Sequence, residues 1–267
     1  MISMLWRRQG VADGGKRMDS PSIYKIKTDV FQAAQRLVAT KYRRLFSASL
    51  ETKALEVIAS FELPDDVWLQ IDYTKQEDLK YCKHGWTTDF DHLVGVSLLA
   101  IRYAIQQKYS DLEVQKHGLI GLLHDIIKPT NLTHKDRHLT LEERALMDKH
   151  PVESLEFLKK KWDVDSYVED AVGGHHKWIK LNPDSQFRSY PDDGMPPGFA
   201  AKLYAALDMV DAVARGRSFR VREEFKDGSV TRAISELVRE SDENNPDGIH
   251  YDKKIVTQLV PGLERAI

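Results

Sequence analysis

His92, His124-Asp125, His150, His175-His176 and Asp208 follow one another along the chain, each on or at the end of a helix by the pattern of its neighbours. Neutral imidazole nitrogens and carboxylate oxygens are metal ligands, so the chemistry this series offers is the binding of divalent cations. His124 and Asp125 fall in the last turn of an apolar helix. An ionised carboxylate there faces the negative end of the helix dipole, at a cost of a few tenths to about 1 kcal/mol; a bound cation reverses that sign. Asp208 stands inside LYAALDMVD, residues 203–211, a segment apolar enough to be core. A carboxylate in such a place is expected to be paired or to bind metal. Asp211 has an ordinary partner available in Arg215, one turn on. His175 and His176 follow two glycines, and on a helix their side chains point about 100° apart, so the two imidazoles are not expected to share a target. His84, His117, His134, His138 and His250 stand outside the series and are read as ordinary histidines.

The elements that position these residues read as helices. Polar and apolar residues recur at three- and four-residue spacing over 28–50 and 51–61. An irregular stretch with Pro64 and Gly85 separates them from the next pattern. Asp89 is placed to cap a helix carrying Leu93, Val96, Leu99, Ala100 and Tyr103. Asp111 is placed to cap another, with Val114, Leu119, Leu122, Leu123 and Ile126, which must stop near Lys128 because Pro129 follows. Thr140 and Glu143 have the spacing of a capping box. The helix they open meets Pro151, which suits the first turn of the next helix, 152–162. Residues 165–172 form a short helix closed by Gly173 and Gly174. Residues 177–197 form a polar, proline-containing loop long enough to expect a function. A long helix covers 199–214, and two more lie near 229–240 and 252–260. Strand signals are scarce, and the fold class is all-α.

A chain of 267 residues can bury a large core. A formal net charge of −2, with no long basic run, gives no drive toward double-stranded nucleic acid or a membrane surface. No apolar run approaches the roughly 20 residues that span a bilayer. Cys82 is the single cysteine, which excludes an internal disulfide and fits a reducing, cytoplasmic setting. The opening residues lack the apolar core of a signal peptide, and 1–20 are expected to be a disordered leader.

Taken in order, H…HD…H…HH…D resembles the HD superfamily of metal-dependent phosphohydrolases, and more narrowly its HD-GYP branch, the cyclic di-GMP phosphodiesterases. HDIIK at 124–128 is similar to that branch's HD-x-G-K, and LTLEERALMDKHP at 139–151 to its Leu-Thr, Glu-Glu and His-Pro signature. AKLYAALDMVDAVARGRSFR at 201–220 resembles its closing motif, and IHYDKKIV at 249–256 its final Phe-Asp-Pro segment. The resemblance covers 86–267 and implies an HD-domain helical bundle, with 21–85 as an N-terminal helical segment. Those helices carry no chemical motif and are expected to pack on the bundle or to mediate dimerisation, so a homodimer or a signalling partner protein is an expected association. The resemblance also implies that His92, His124, Asp125 and Asp208 form one metal site. His150, His175 and His176 complete a second, with Asp125 bridging. Two neighbouring ions would let adjacent imidazoles serve different targets. The implied cofactors are two divalent transition metal ions, iron or manganese, and the implied nucleophile is a hydroxide that they activate. Asp125 and Lys128 are the expected catalytic residues. Lys128, Lys177, Tyr190, Asp211, Arg217 and Arg220 are the expected substrate-binding residues.

The chain departs from the HD-GYP pattern on the substrate side. The branch reads HH-E-x-x-D-G-x-G-Y-P; this chain has Lys177 after the histidine pair, no Asp-Gly before the tyrosine, and Ser189-Tyr190-Pro191 at the close. Thr88 stands where some members carry a glutamate ligand for a third metal, and Gly95 replaces a usual arginine. The expected function is a metal-dependent phosphodiesterase acting on a cyclic dinucleotide, cyclic di-GMP first. The alternatives are an HD phosphohydrolase of another nucleotide or phosphoester, and a catalytically silent, metal-bound dinucleotide sensor or adaptor.

Overall fold

The computed structural model describes residues 20–81, 88–135, 139–177, 179–180, 195–215, 230–242 and 249–264. Among them the chain is a bundle of helices: α1 (Ser20–Thr40), α2 (Ala48–Ala59), α3 (Asp65–Tyr81), α4 (Asp89–Gln106), α5 (Asp111–Leu123) and the short α6 (Thr130–Thr133). Then follow α7 (Leu141–Met147), α8 (His150–Lys159), α9 (Ser166–Gly174), α10 (Phe199–Ala214), α11 (Val230–Glu240) and α12 (Lys253–Glu264). A two-residue antiparallel ladder joins β1 (Ile179–Lys180) to β2 (Ile249–His250), with Ile179 opposite His250 and Lys180 opposite Ile249. The all-α expectation holds.

The core gathers around α4, which packs against α1, α2, α3, α5, α10 and α12. Its residues from Asp89 to Ala104 are buried apart from Asp91, as a helix without a solvent face must be in the middle of a bundle. The start of α4 carries His92, and its first four backbone N–H groups, which no helix satisfies by itself, all have partners. Asp78 of α3 accepts from Asp89 (3.1 Å) and Phe90 (2.7 Å), the Thr88 hydroxyl accepts from Asp91 (2.9 Å), and the Thr88 carbonyl accepts from His92 (3.1 Å). The start of α10 is held in the same way by α9. Asp170 accepts from the N–H groups of Gly198 (2.9 Å) and Ala201 (3.0 Å).

Several boundaries differ from the sequence reading, each for a local reason. The first helix stops at Thr40 instead of running to Leu50, because residues 41–47 turn inward and bury Tyr42, Leu45 and Phe46. Ser47 then caps α2. The stretch after Pro64, expected to be irregular, is α3. Its buried face runs Val67, Trp68, Ile71, Thr74, Asp78, and the two polar members erase the apolar period that would have announced it. Thr88 and Ser110, not Asp89 and Asp111, cap α4 and α5. The Thr140–Glu143 capping box and Pro151 in the first turn of α8 are present as expected. Residues 1–19 of the expected leader lie outside the described residues, and Ser20 already begins α1.

The backbones of α4 and α5 approach each other closely at Gly121. A β-carbon on Gly121 would stand 2.7 Å from the Ser97 Cα and backbone nitrogen and 2.8 Å from the Val96 carbonyl oxygen. Backbone cannot swing aside as a side chain can. Alanine in an open helix interior is favoured over glycine by about 1 kcal/mol. Here Gly121→Ala is expected to reverse that sign and destabilise by about 1–3 kcal/mol through overpacking. Thermal unfolding reads this as a lowered Tm, and an unchanged or raised Tm would contradict the packing.

Candidate metal centre

Five helices deliver their chemistry to one point. His92 lies in the first turn of α4, His124 ends α5, and Asp125 sits in the turn that follows. His150 opens α8, His175 ends α9 with His176 beside it, and Asp208 projects from the middle of α10. All seven residues are buried, His92, His124, His150 and His175 completely.

Backbone geometry selects the imidazole tautomers. His124 Nδ1 lies 2.8 Å from the Gly121 carbonyl, His150 Nδ1 2.6 Å from that of Met147, and His175 Nδ1 2.9 Å from that of Val172. A carbonyl only accepts, so each Nδ1 carries the proton and each Nε2 presents a lone pair inward. In each case the carbonyl belongs to the residue three positions back. His92 uses a carboxylate instead: its Nδ1 is 2.5 Å from Asp211 Oδ2.

The inward nitrogens form two groups that share Asp125. His150 Nε2 and His175 Nε2 lie 2.8 and 3.2 Å from Asp125 Oδ1, while His92 Nε2 and His124 Nε2 lie 3.3 and 3.6 Å from Oδ2. With His176 on the first side and Asp208 on the second (its Oδ1 3.0 Å from His92 Nε2), each group offers four ligand atoms within 4.8 Å of one another, and His175 and His176, expected to serve different targets, fall in the same group because the chain leaves the helix between them. His124 Nε2 is buried without a hydrogen-bond partner, which in a protein interior marks a nitrogen reserved for something else. Imidazole and carboxylate donors with no thiolate suit a divalent transition metal. The residues fit such an ion.

Electrostatics agree with that use. Burial pushes the Asp125 carboxyl upward, but the Lys128 ammonium, with His124 and His150 behind it, outweighs burial and holds the group well below the usual carboxylate range. Lys128 is hydrogen-bonded to Asp125 Oδ2. Burial lowers His124 to about 3 and also lowers His150 and His176. These imidazoles stay neutral, the form that binds metal.

The remaining expected site residues fall into three sets. Lys128 and Lys177 border the centre; Lys177 follows the histidine pair, its backbone N–H donating to the Gly174 carbonyl at 2.7 Å. Asp211, expected to bind substrate, does not face outward. It is completely buried, with Oδ2 taken by His92 and by Arg215 Nε (2.7 Å) and Oδ1 by the Tyr42 hydroxyl. It faces His92 instead. Tyr190, Arg217 and Arg220 lie outside the described residues. His117 and His134 are partnered structurally, His117 among Tyr103, Tyr109, Tyr167 and Tyr204, and His134 with Asp78 at 2.8 Å. Tyr42 was not foreseen. The one sequence signal near it is Gly95, where the family's arginine is missing.

The HD domain family model matches residues 89–213, the stretch from the first turn of α4 to the end of α10. The matched stretch, just under half of the chain, is thus similar to an HD domain. Among curated proteins the chain is similar to the cyclic di-GMP phosphodiesterase PA4108 of Pseudomonas aeruginosa, 31% identical over 139 residues. That match covers 48% of this chain and 31% of the relative, so the chain spans about a third of the relative's length. Among solved structures, Bd1817, a HDG"Y"P protein from Bdellovibrio bacteriovorus, overlays with a TM-score of 0.48 at 19% identity, covering 94% of this chain and 75% of its own. Among the described residues no helix is long and apolar enough to cross a membrane.

The neutral histidines fix how stability varies with acidity. Below pH about 6.5, the value of a free imidazole, the unfolded chain takes up protons that the folded, metal-free centre refuses, down to about 3 for His124. A folded value depressed below the unfolded one gives stability that is complete above about pH 6.5 and lost as pH falls. Urea midpoints measured in chelator should therefore decline from pH 7 to pH 5, and His124→Gln should flatten that decline. A midpoint rising toward pH 5 would contradict it.

Proposed function

We propose that this chain is a metal-dependent phosphodiesterase that hydrolyses a cyclic dinucleotide, cyclic di-GMP first, at a centre holding two divalent ions, iron or manganese. The observation that carries this reading is the split of Asp125: one oxygen faces His150 and His175, the other His92 and His124. A carboxylate used on both edges by two imidazole groups is what a bridging ligand requires. Divalent ions bound there supply positive charge to a phosphate and lower the pKa of water toward neutrality. The chain's own residues do the rest. Asp125 stays ionised at the junction, Lys128 adds a cation beside it for the negative charge that develops at phosphorus, and Lys177 adds another next to the histidine pair. The name of the Pseudomonas relative supports the choice of cyclic di-GMP, and the single cysteine is consistent with work in the cytoplasm.

Metal analysis combined with a substrate panel tests the reading. The full chain loaded with manganese(II) should bind close to two ions and linearise or fully hydrolyse cyclic di-GMP. Asp125→Ala should lose metal and more than about 10²-fold in turnover, beyond the loss typical for a residue that merely supports a ligand. Turnover confined to mononucleotides or other phosphoesters would move the substrate class. Dinucleotide binding without turnover would make the chain a sensor. Full activity in Asp125→Ala would sink the proposal.

A further inference from the structure

The N-terminal helices carry no motif, yet one of their residues reaches the metal centre. The turn between α1 and α2 is tied to α4: Arg102 Nε donates to the Leu45 carbonyl at 2.9 Å, and Arg36 of α1 meets Asp91 at 2.6 Å. Tyr42 in that turn is completely buried, and its hydroxyl donates to Asp211 Oδ1. The phenol is the only one of the two groups with a proton to give, since burial, followed by the Asp211 charge, holds its pKa well above the usual phenol range.

Gly95 makes the approach possible. A β-carbon there would stand 2.0 Å from Asp211 Oδ1 and 2.8 Å from the Tyr42 hydroxyl oxygen. No side chain at 95 coexists with this arrangement. The position that lacks the family's arginine is therefore filled from outside the HD stretch, by a tyrosine 53 residues away toward the N-terminus. With Oδ1 occupied by Tyr42, the other Asp211 oxygen is aimed at His92 Nδ1 and Arg215 Nε. Arg215 is fixed in turn, since its Nη1 donates to the Thr88 carbonyl at 2.9 Å. The result is a chain of contacts from Tyr42 through Asp211 to His92, whose Nε2 faces Asp125 and Asp208.

We propose that Tyr42 is a positioning residue of the metal centre: its hydroxyl orients Asp211, and Asp211 holds His92 in the Nδ1–H tautomer with Nε2 turned inward. The proposal rests on the reading of this centre as metal-binding for its consequence on affinity, but not for its consequence on the tautomer. Partners that orient a metal-ligating imidazole typically change affinity 10–100-fold when removed.

The test uses the full chain, with manganese(II) as the probe and free manganese counted by electron paramagnetic resonance. Tyr42→Phe keeps the ring in its packing and removes only the hydroxyl. It should weaken manganese binding about 10–100-fold and shift the 15N resonances of His92, with the other site histidines unmoved. Leu45→Ala, a packing loss in the same turn without contact to Asp211, should leave manganese affinity and the His92 resonances as they were. Wild-type binding and an unmoved His92 in Tyr42→Phe would overturn the proposal, as would equal weakening by Leu45→Ala. If the wild-type chain takes up no manganese, the proposed function fails, and the His92 resonances alone decide the role of Tyr42.

Discussion

Burying an isolated carboxylate costs several kcal/mol even after a protein relaxes around it, and Asp125 is buried with only 1% of its side chain exposed. The centre is organised around meeting that charge. Lys128 lies on one edge, neutral imidazoles lie along both, and the turn after α5 holds the group where α4, α8, α9 and α10 converge. The helices that carry His92 and His124, α4 and α5, also cross at Gly121 more closely than a β-carbon would allow.

The imidazoles solve a second problem, that of facing a cation without carrying a proton to it. Three use the backbone carbonyl three residues back, so their tautomer is fixed locally and needs nothing from the rest of the bundle. His92 sits in the first turn of α4, where the preceding carbonyls belong to the entry of the helix and one of them, Thr88, is committed to the cap and to Arg215. Its partner therefore has to come from another element. Asp211 supplies it, and brings its own need for compensation by Arg215 and Tyr42. A local difference, a carboxylate partner instead of a backbone carbonyl, thus becomes a long-range network.

Much of this was legible in the sequence. The histidine and aspartate series stood out because residue types that are unfavourable at helix ends or in apolar segments recurred there, and α10 was read over its full length although Lys202, Asp208 and Asp211 interrupt its apolar residues. Other features were not legible for identifiable reasons. The buried face of α3 includes Thr74 and Asp78, because its task is to cap α4 as well as to pack, and capping chemistry conceals hydrophobic period. Asp211 looked like a residue for substrate because it belongs to a motif; only burial shows that it faces His92 instead. Tyr42 lies in a turn without a pattern, and Gly95 read as a missing arginine when it is also a vacated volume. Sequence reports what a residue is more readily than what space it leaves.

The stretch matched to the HD domain begins at residue 89, but the hydrogen bonds that lead through Asp211 to His92 begin at residue 42. The unit recognised by descent and the unit that is physically complete are thus not the same length. An excised domain would keep every residue of the two histidine–aspartate groups and still lose the phenol that stands beside Asp211. The route from the α1–α2 turn to that imidazole runs through a single hydroxyl. An extension of this kind cannot be exchanged or lost as freely as an appended module, because part of the centre's inner structure has been delegated to it.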